Sequence, residues 1–300
     1  DKIVDIMSSK INLNKFNIEN VNLDHINNNK TNILFVMACE KYKNFDKIID
    51  FSNNIKNSYV YIIEPYFYWK NKHDLIIKNF KKIFSCQYNI CNLSKIIWIP
   101  ECNFLFNFNK FNNLENYNFI RNDINLNRKL VCSSPISSSI SEIREKIIID
   151  FVSNGLDIEI YGKNNILNLS CKNNIISSFD KKLRGNFGFL SKDKANIFNN
   201  YKFIIVIENN FVSGCFSEKL IDCFLSLSIP IYFGALNAEY FFPDLFDNAV
   251  INGLNFNNTE EIIKLIKNMS DDEYNLRIEN IKKLRNKYFN ITSFNYVFNY

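Results

Sequence analysis

The sequence predicts an α/β protein of two domains, each built on a sheet of mostly parallel strands. Three observations carry this. Short apolar runs rich in β-branched residues, at 32–38 and 203–207, have the length and composition of strands buried on both faces. Stretches with apolar residues at helical spacing separate them, so strands and helices alternate along the chain. Finally, 300 residues with 47% hydrophobic and 15% aromatic content suffice for two ordinary domains, each with its own core.

Residues 1–30 are polar and weakly patterned and read as a lead-in. The first strand is 32–38, NILFVMA, followed by a helix over 41–55 with Phe45, Ile48, Ile49 and Phe51 as its apolar positions. A second strand at 59–63 ends in Glu64-Pro65, and a residue before proline is pushed out of the helical region. Residues 74–84 read as a helix running into a short strand, and 96–100 as another strand. The Asn- and Phe-rich stretch 101–127 serves as the interdomain region, which sets the domains at 1–127 and 128–300.

The second domain opens with a strand at 129–134 and a helix over 139–152, with Glu142, Arg144 and Glu145 in its first turns. Residues 156–161, LDIEIY, alternate like a strand and close on Gly162-Lys163. A helix near 193–200 precedes the stretch that organises the chain, 202–234. There the apolar run 203–207 ends abruptly at Glu208-Asn209, polar side chains delivered at a strand's carboxyl end. A loop with Ser213-Gly214 leads to Ser217-Glu218-Lys219, where Ser217 has the chemistry of an N-cap. Leu220, Ile221, Phe224, Leu225 and Leu227 then repeat at helical spacing. Pro230 is expected to stop this helix, and Ile231-Tyr232-Phe233 to form the next buried strand. Beyond Gly234, 249–251 is a short strand, and 259–269 and 271–288 are helices with acidic first turns. All seven glycines fall after residue 150, at positions expected to need an unusual backbone or a close ligand approach.

The composition narrows the function. A net charge of +5 from 36 basic and 31 acidic residues is too mild and dispersed for nucleic-acid binding, yet suits an anionic small molecule. The skew towards Asn, Lys, Ile and Phe reads as codon bias, so N-x-S/T matches at Asn168 and Asn257 carry no evidence of secretion. Eight cysteines without metal-like spacing suit buried free thiols. No stretch approaches the length of a membrane span.

Two readings of 202–234 fit the pattern alone. One is a structural strand–helix–strand crossover with a polar loop. The other is a nucleotide-diphosphate site, because free N–H groups at a helix start, with Lys219 beside them, attract phosphate. The residues themselves, Glu208-Asn209, then Ser217-Glu218-Lys219-Leu220, then a helix and I-P-I-x-x-G, resemble the donor-binding signature of glycosyltransferase family 10, the α-1,3/1,4-fucosyltransferases. The likeness runs over 129–245. It includes Cys132-Ser133-Ser134 before a helix with Arg144, then Ile158-Glu159-Ile160-Tyr161-Gly162-Lys163, and Tyr201-Lys202-Phe203. Ile63-Glu64-Pro65 is the nearest match to an N-terminal motif of the family. The chain departs from it at Cys215, where members carry a tyrosine, and has Ser217 for their threonine.

The resemblance implies a GT-B arrangement, two Rossmann-like domains facing a cleft, with GDP-fucose held by the second. It implies inverting transfer of L-fucose to a hydroxyl of an acceptor oligosaccharide or glycoconjugate, with α-1,3 linkage to a GlcNAc- or glucose-type residue. Arg144, Lys219 and the helix amides near Ser217 would surround the diphosphate, and Glu218 would accept from ribose hydroxyls. From the pattern alone Arg144 equally suits a surface helix residue paired with Glu142 or Glu145, and Glu218 a favourable first-turn carboxylate. Glu208 and Asn209 bind the donor sugar or brace the loop. Tyr161 faces the nucleotide or belongs to the core. Glu64, at the carboxyl end of an N-domain strand, is the expected general base, or else a strand-end carboxylate that meets solvent or braces a loop. No metal is expected, since the chain lacks an Asp-x-Asp motif and His25 and His73 have no evident ligand partners. A cytoplasmic location, in a bacterium or a virus-infected host, is favoured over the Golgi lumen because this chain carries no anchor. A GT-B enzyme with another nucleotide-sugar donor, and a non-catalytic sugar- or nucleotide-binding protein, remain as alternatives.

Overall fold

The computed structural model describes residues 5–6, 32–37, 49, 52–53, 57–62, 70–88, 96–98, 121–125, 127–133, 142–161 and 196–291. They fall in two compact units, one of Asp1–Glu101 with Val212–Cys215, the other of Cys102–Phe211 with Phe216–Tyr300.

In the first unit, β1 (Asp5–Ile6), β2 (Asn32–Met37), β3 (Asn57–Ile62), β4 (Lys82–Ser85) and β5 (Ile96–Trp98) form a parallel sheet in chain order. Val60 and Ile62 of β3 are buried, as are Ile83 and Phe84 on opposite faces of β4, which is why these runs lack polar alternation. Helix α1 (His73–Asn79) buries Ile76. The expected strands at 59–63 and 96–100 are therefore present, a little shifted. Glu64 lies outside the described residues, and so does most of the helix expected over 41–55, of which Ile49 is buried.

The second unit holds β6 (Lys129–Ser133), β7 (Ile158–Glu159), β8 (Tyr201–Ile207), β9 (Ile229–Phe233) and β10 (Ile251–Asn252), all parallel, in the order β10-β9-β8-β6-β7. Helix α2 (Glu142–Ser153) follows β6 and buries Ile148 and Phe151; α3 (Glu218–Leu225) joins β8 to β9. Then come α4 (Ala238–Phe241), α5 (Pro243–Asn248), α6 (Thr259–Asn268) and α7 (Asp271–Ile291). Helix α6 is capped by Asn258, whose side chain accepts from Glu261 N at 3.0 Å, while Glu261 accepts from Asn257 N at 3.2 Å. The cap is thus Asn258, one residue before Thr259, and Glu261 reaches back past it to the preceding residue, a variation on the capping box. Ser270 caps α7 by accepting from Glu273 N at 3.1 Å. No described helix is long and apolar enough to cross a membrane.

Three expectations from the sequence are not met. Pro230 does not stop α3, and Leu227 is not on it. The helix ends at Leu225; Leu227 takes a left-handed conformation, φ 56, and Ser228 N donates to Cys223 O at 2.9 Å. Pro230 instead lies inside β9, paired with Ile204 of β8. The ladder to β10 begins one residue later, at Ile231, so no strand needs the missing N–H. The strand expected over 156–161 is only the two residues of β7, although Leu156 and Ile160 beside it are buried.

Residues 121–125 and 127 belong to this second unit, where Arg121 N donates to Leu225 O at 2.9 Å. Arg128 clasps the turn after α3: its guanidinium donates to Ser226 O and Tyr274 Oη, both at 2.9 Å, to Asn199 O at 3.0 Å, and to Leu227 O.

Candidate functional site

In the second sheet β7 and β8 lie on opposite sides of β6, so the winding reverses at the β6–β8 pair. Crossovers that part to opposite faces leave a crevice at the strands' carboxyl ends, where ligands of parallel sheets bind. Glu208 is the first residue past β8, its N–H still held by Phe233 O at 2.8 Å.

Glu208 is 3% exposed, and its carboxylate is fully engaged with the start of α3. Oε1 accepts from Ser217 N at 2.9 Å, and Oε2 accepts from Ser217 Oγ at 2.6 Å and from Lys219 Nζ at 3.0 Å. Ser217 Oγ in turn accepts from Lys219 Nζ at 3.0 Å and from Lys219 N at 3.4 Å, the expected N-cap contact. Carboxylate, hydroxyl and ammonium thus form a closed triangle at the helix's amino end. A carboxylate this buried is tolerated because a cation and two further donors meet it. Gly234 makes room for it: a Cβ there would fall 2.4 Å from Glu208 Cγ and 2.5 Å from the Tyr232 hydroxyl. That hydroxyl accepts from Ala235 N at 3.0 Å, which fixes the end of the I-P-I-x-x-G stretch.

Arg144, on α2, is 2% exposed. Its Nε donates to Glu208 O at 3.1 Å, and its Nη2 has no hydrogen-bond partner among the described residues. Burial lowers the guanidinium's pKa, the nearby Glu208 and Glu218 carboxylates oppose that, and the group stays a cation. Glu218 is half-buried, and Asn209 is exposed beside Glu208. The structure therefore brings Arg144, Glu208, Ser217, Glu218 and Lys219 together, with Asn209 next in the chain.

Tyr161 is elsewhere. Its hydroxyl pairs with that of Tyr201 at 2.8 Å, the rings meeting edge to face at 6.2 Å. Tyr201 donates to the Glu159 carboxylate, which also takes Lys129 Nζ at 2.6 Å. Since Tyr201 opens β8, this cluster gathers towards the amino end of the strand whose carboxyl end carries Glu208. Burial raises the pKa of both phenols. The sequence reading missed the Arg144 bond to Glu208 O, which joins residues 64 positions apart. At Gly234 a close approach was expected from the scarcity of glycine, and the groups that approach are the Glu208 and Tyr232 side chains. Among the described residues no group of three or more His, Cys, Asp or Glu side chains is placed to hold a metal ion.

A family model described as glycosyltransferase family 10 (fucosyltransferase), C-terminal, matches residues 127–288, a span that contains every residue of this cluster. An alpha-(1,4)-fucosyltransferase of Arabidopsis thaliana is 39% identical over 74 residues, 25% of this chain and 18% of that protein. An alpha-(1,3)-fucosyltransferase of Helicobacter pylori is 36% identical over 85 residues, 28% of this chain and 17% of that protein. These matches span less than a fifth of either relative. A solved alpha1,3-fucosyltransferase is similar in fold, with a TM-score of 0.50 at 16% identity over 92% of this chain and 81% of that one. The two Rossmann-like units are of the GT-B type.

Proposed function

Since the chain belongs to glycosyltransferase family 10, we propose that it transfers L-fucose from GDP-fucose to a hydroxyl of an acceptor glycan, with inversion at the anomeric carbon and without a metal ion. One observation carries this reading: two buried cations, Arg144 and Lys219, converge on Glu208 at the amino end of α3, at the point where the sheet's winding reverses.

A single displacement through an oxocarbenium-like transition state makes two demands. The departing GDP must have its developing charge met, and the acceptor hydroxyl must lose a proton. Lys219 gives two of its three donors to Glu208 and Ser217 and keeps the third for a phosphate oxygen. Arg144 offers Nη2, and the first-turn amides of α3 add a partial positive charge. Such an arrangement supplies by side chains and a helix end what a metal supplies in other transferases. Glu208 is then a brace, its carboxylate already consumed by Ser217 and Lys219, and the exposed Asn209 is the residue that meets the donor sugar. Glu218 accepts from the ribose hydroxyls. Tyr161 has its hydroxyl taken by Tyr201 and packs the sheet in place of touching nucleotide. We assign the general base to Glu64, on its place just after β3 in sequence and on its match to the family motif.

The test is GDP release from GDP-fucose against a panel of acceptor sugars, with GDP-mannose and UDP-sugars as controls. Turnover of GDP-fucose with an acceptor ending in GlcNAc or glucose is expected. Turnover with another donor alone would move the chain to a different GT-B specificity, and GDP binding without turnover would make it a binding protein.

A further inference from the structure

We propose that Cys86 and Cys215 form a reversible disulfide that locks residues 212–215, the loop leading to α3, onto the end of β4. The two sulfurs lie 3.4 Å apart although the residues are 129 positions apart in the chain. Bonded sulfurs sit at about 2.0 Å, so small side-chain rotations close the gap.

The backbone on either side is already held for this. Trp98 Nε1 donates to Cys86 O and to Gly214 O, each at 3.1 Å, so one indole ties together the peptides flanking both thiols. Tyr88 N donates to Ser213 O at 3.0 Å, and Cys215 N donates to Val212 O at 3.1 Å, closing the turn. The turn depends on Gly214, at φ 81: a Cβ there would fall 2.5 Å from Trp98 Nε1 and 2.8 Å from Tyr88 Cβ. All of these residues belong to the first unit, so the link would form within it.

The other described cysteines are placed differently. Cys132 and Cys223 are both fully buried; burial pushes the Cys132 thiol up, and Cys223 donates to Lys219 O at 3.3 Å. Cys86 is 0% exposed and Cys215 6%, so Cys215 is the nearer of the two to solvent and is the one assigned to meet a small oxidant.

A peroxide supplies the oxidising equivalents. The Cys215 thiolate attacks one oxygen of hydrogen peroxide; an S–O bond forms, the O–O bond breaks, and hydroxide leaves as water on taking up the thiol's proton. The Cys86 sulfur then attacks the sulfenic sulfur, forming S–S and expelling a second water. Two thiols lose two electrons, and one peroxide becomes two waters. A dithiol reductant reverses the bond by exchange.

The test needs no transfer activity, so its outcome is separable from the reading above. The folded chain is treated with a small excess of hydrogen peroxide, alkylated under denaturing conditions, and followed by intact mass and peptide mapping. We expect a loss of two hydrogens, a linked peptide joining Cys86 and Cys215, and recovery of both thiols with dithiothreitol. Cys86→Ser and Cys215→Ser should each abolish the link, and the oxidised wild type should melt several degrees higher because so long a loop is closed. A link between other cysteines, or Cys215 driven to sulfinic and sulfonic acid with no link, would overturn the proposal.

Discussion

The two sheets are alike in size and direction and differ in one respect. In the first unit β1 to β5 lie side by side in chain order; in the second, β7 and β8 flank β6 on opposite sides. Only the second arrangement, among the described strands, opens a crevice at the carboxyl ends. That is where two buried cations and a buried carboxylate gather, beside a helix start. The gathering of buried charge thus goes with the reversal of strand order. In the first unit Glu64, proposed above as the base, follows β3 in sequence.

The largest expected effect tests the first unit's share. Glu64→Gln should lower transfer by about 10²–10⁴-fold, the range for a positioned base, while leaving GDP affinity unchanged. Transfer kinetics run beside a GDP titration would check it; near-normal turnover would put the base elsewhere. Next comes Arg144→Ala in the second unit, which should weaken GDP binding by roughly 1.5–3 kcal/mol, the worth of a charge-assisted hydrogen bond. Arg144→Lys should recover part of that at most, because a point charge cannot copy the planar fork. Fluorescence or calorimetric titration reads both.

Smaller still is the contrast between the two carboxylates of the second unit. Glu208→Gln should cost about 1–3 kcal/mol of stability and some GDP affinity, since it leaves the Lys219 ammonium without its counter-charge. Glu159→Gln should cost under about 1 kcal/mol and leave GDP affinity alone, because its partner Lys129 is well exposed. Chemical denaturation of both variants separates a carboxylate that braces a site from one that decorates a sheet. The smallest effect is none: excess EDTA should leave transfer intact. Activity lost and then restored only by Mn²⁺ or Mg²⁺ would mean that an ion shares the leaving group's charge.

How much of the molecule is legible in the sequence depends on which interactions are local. The apolar run of β8, the Ser217 cap and the start of α3 each carry their signature within a few residues, so the strand–helix–strand unit was legible. The end of α3 was not, because Leu227 adopts a left-handed turn that glycine usually marks, and Pro230 is harmless where no strand needs its N–H. Contacts between distant positions left no local trace. Arg144 to Glu208, Arg121 to Leu225 and Cys86 to Cys215 all belong to that class. Tyr161 stayed open between nucleotide and core for a related reason: a phenol at a strand's end can turn back, and only its partner Tyr201 shows that it does.

The central claim is that the cluster on β8 and α3 holds the diphosphate of a guanine nucleotide sugar. Calorimetric titration of GDP into the wild-type chain and into Lys219→Ala tests it most directly, with circular dichroism to show that both are folded. The account predicts saturable one-site binding by the wild type and a loss of about tenfold or more in the variant, the equivalent of one charge-assisted contact. Equal affinity in a folded Lys219→Ala would contradict it and remove the cluster from the donor site.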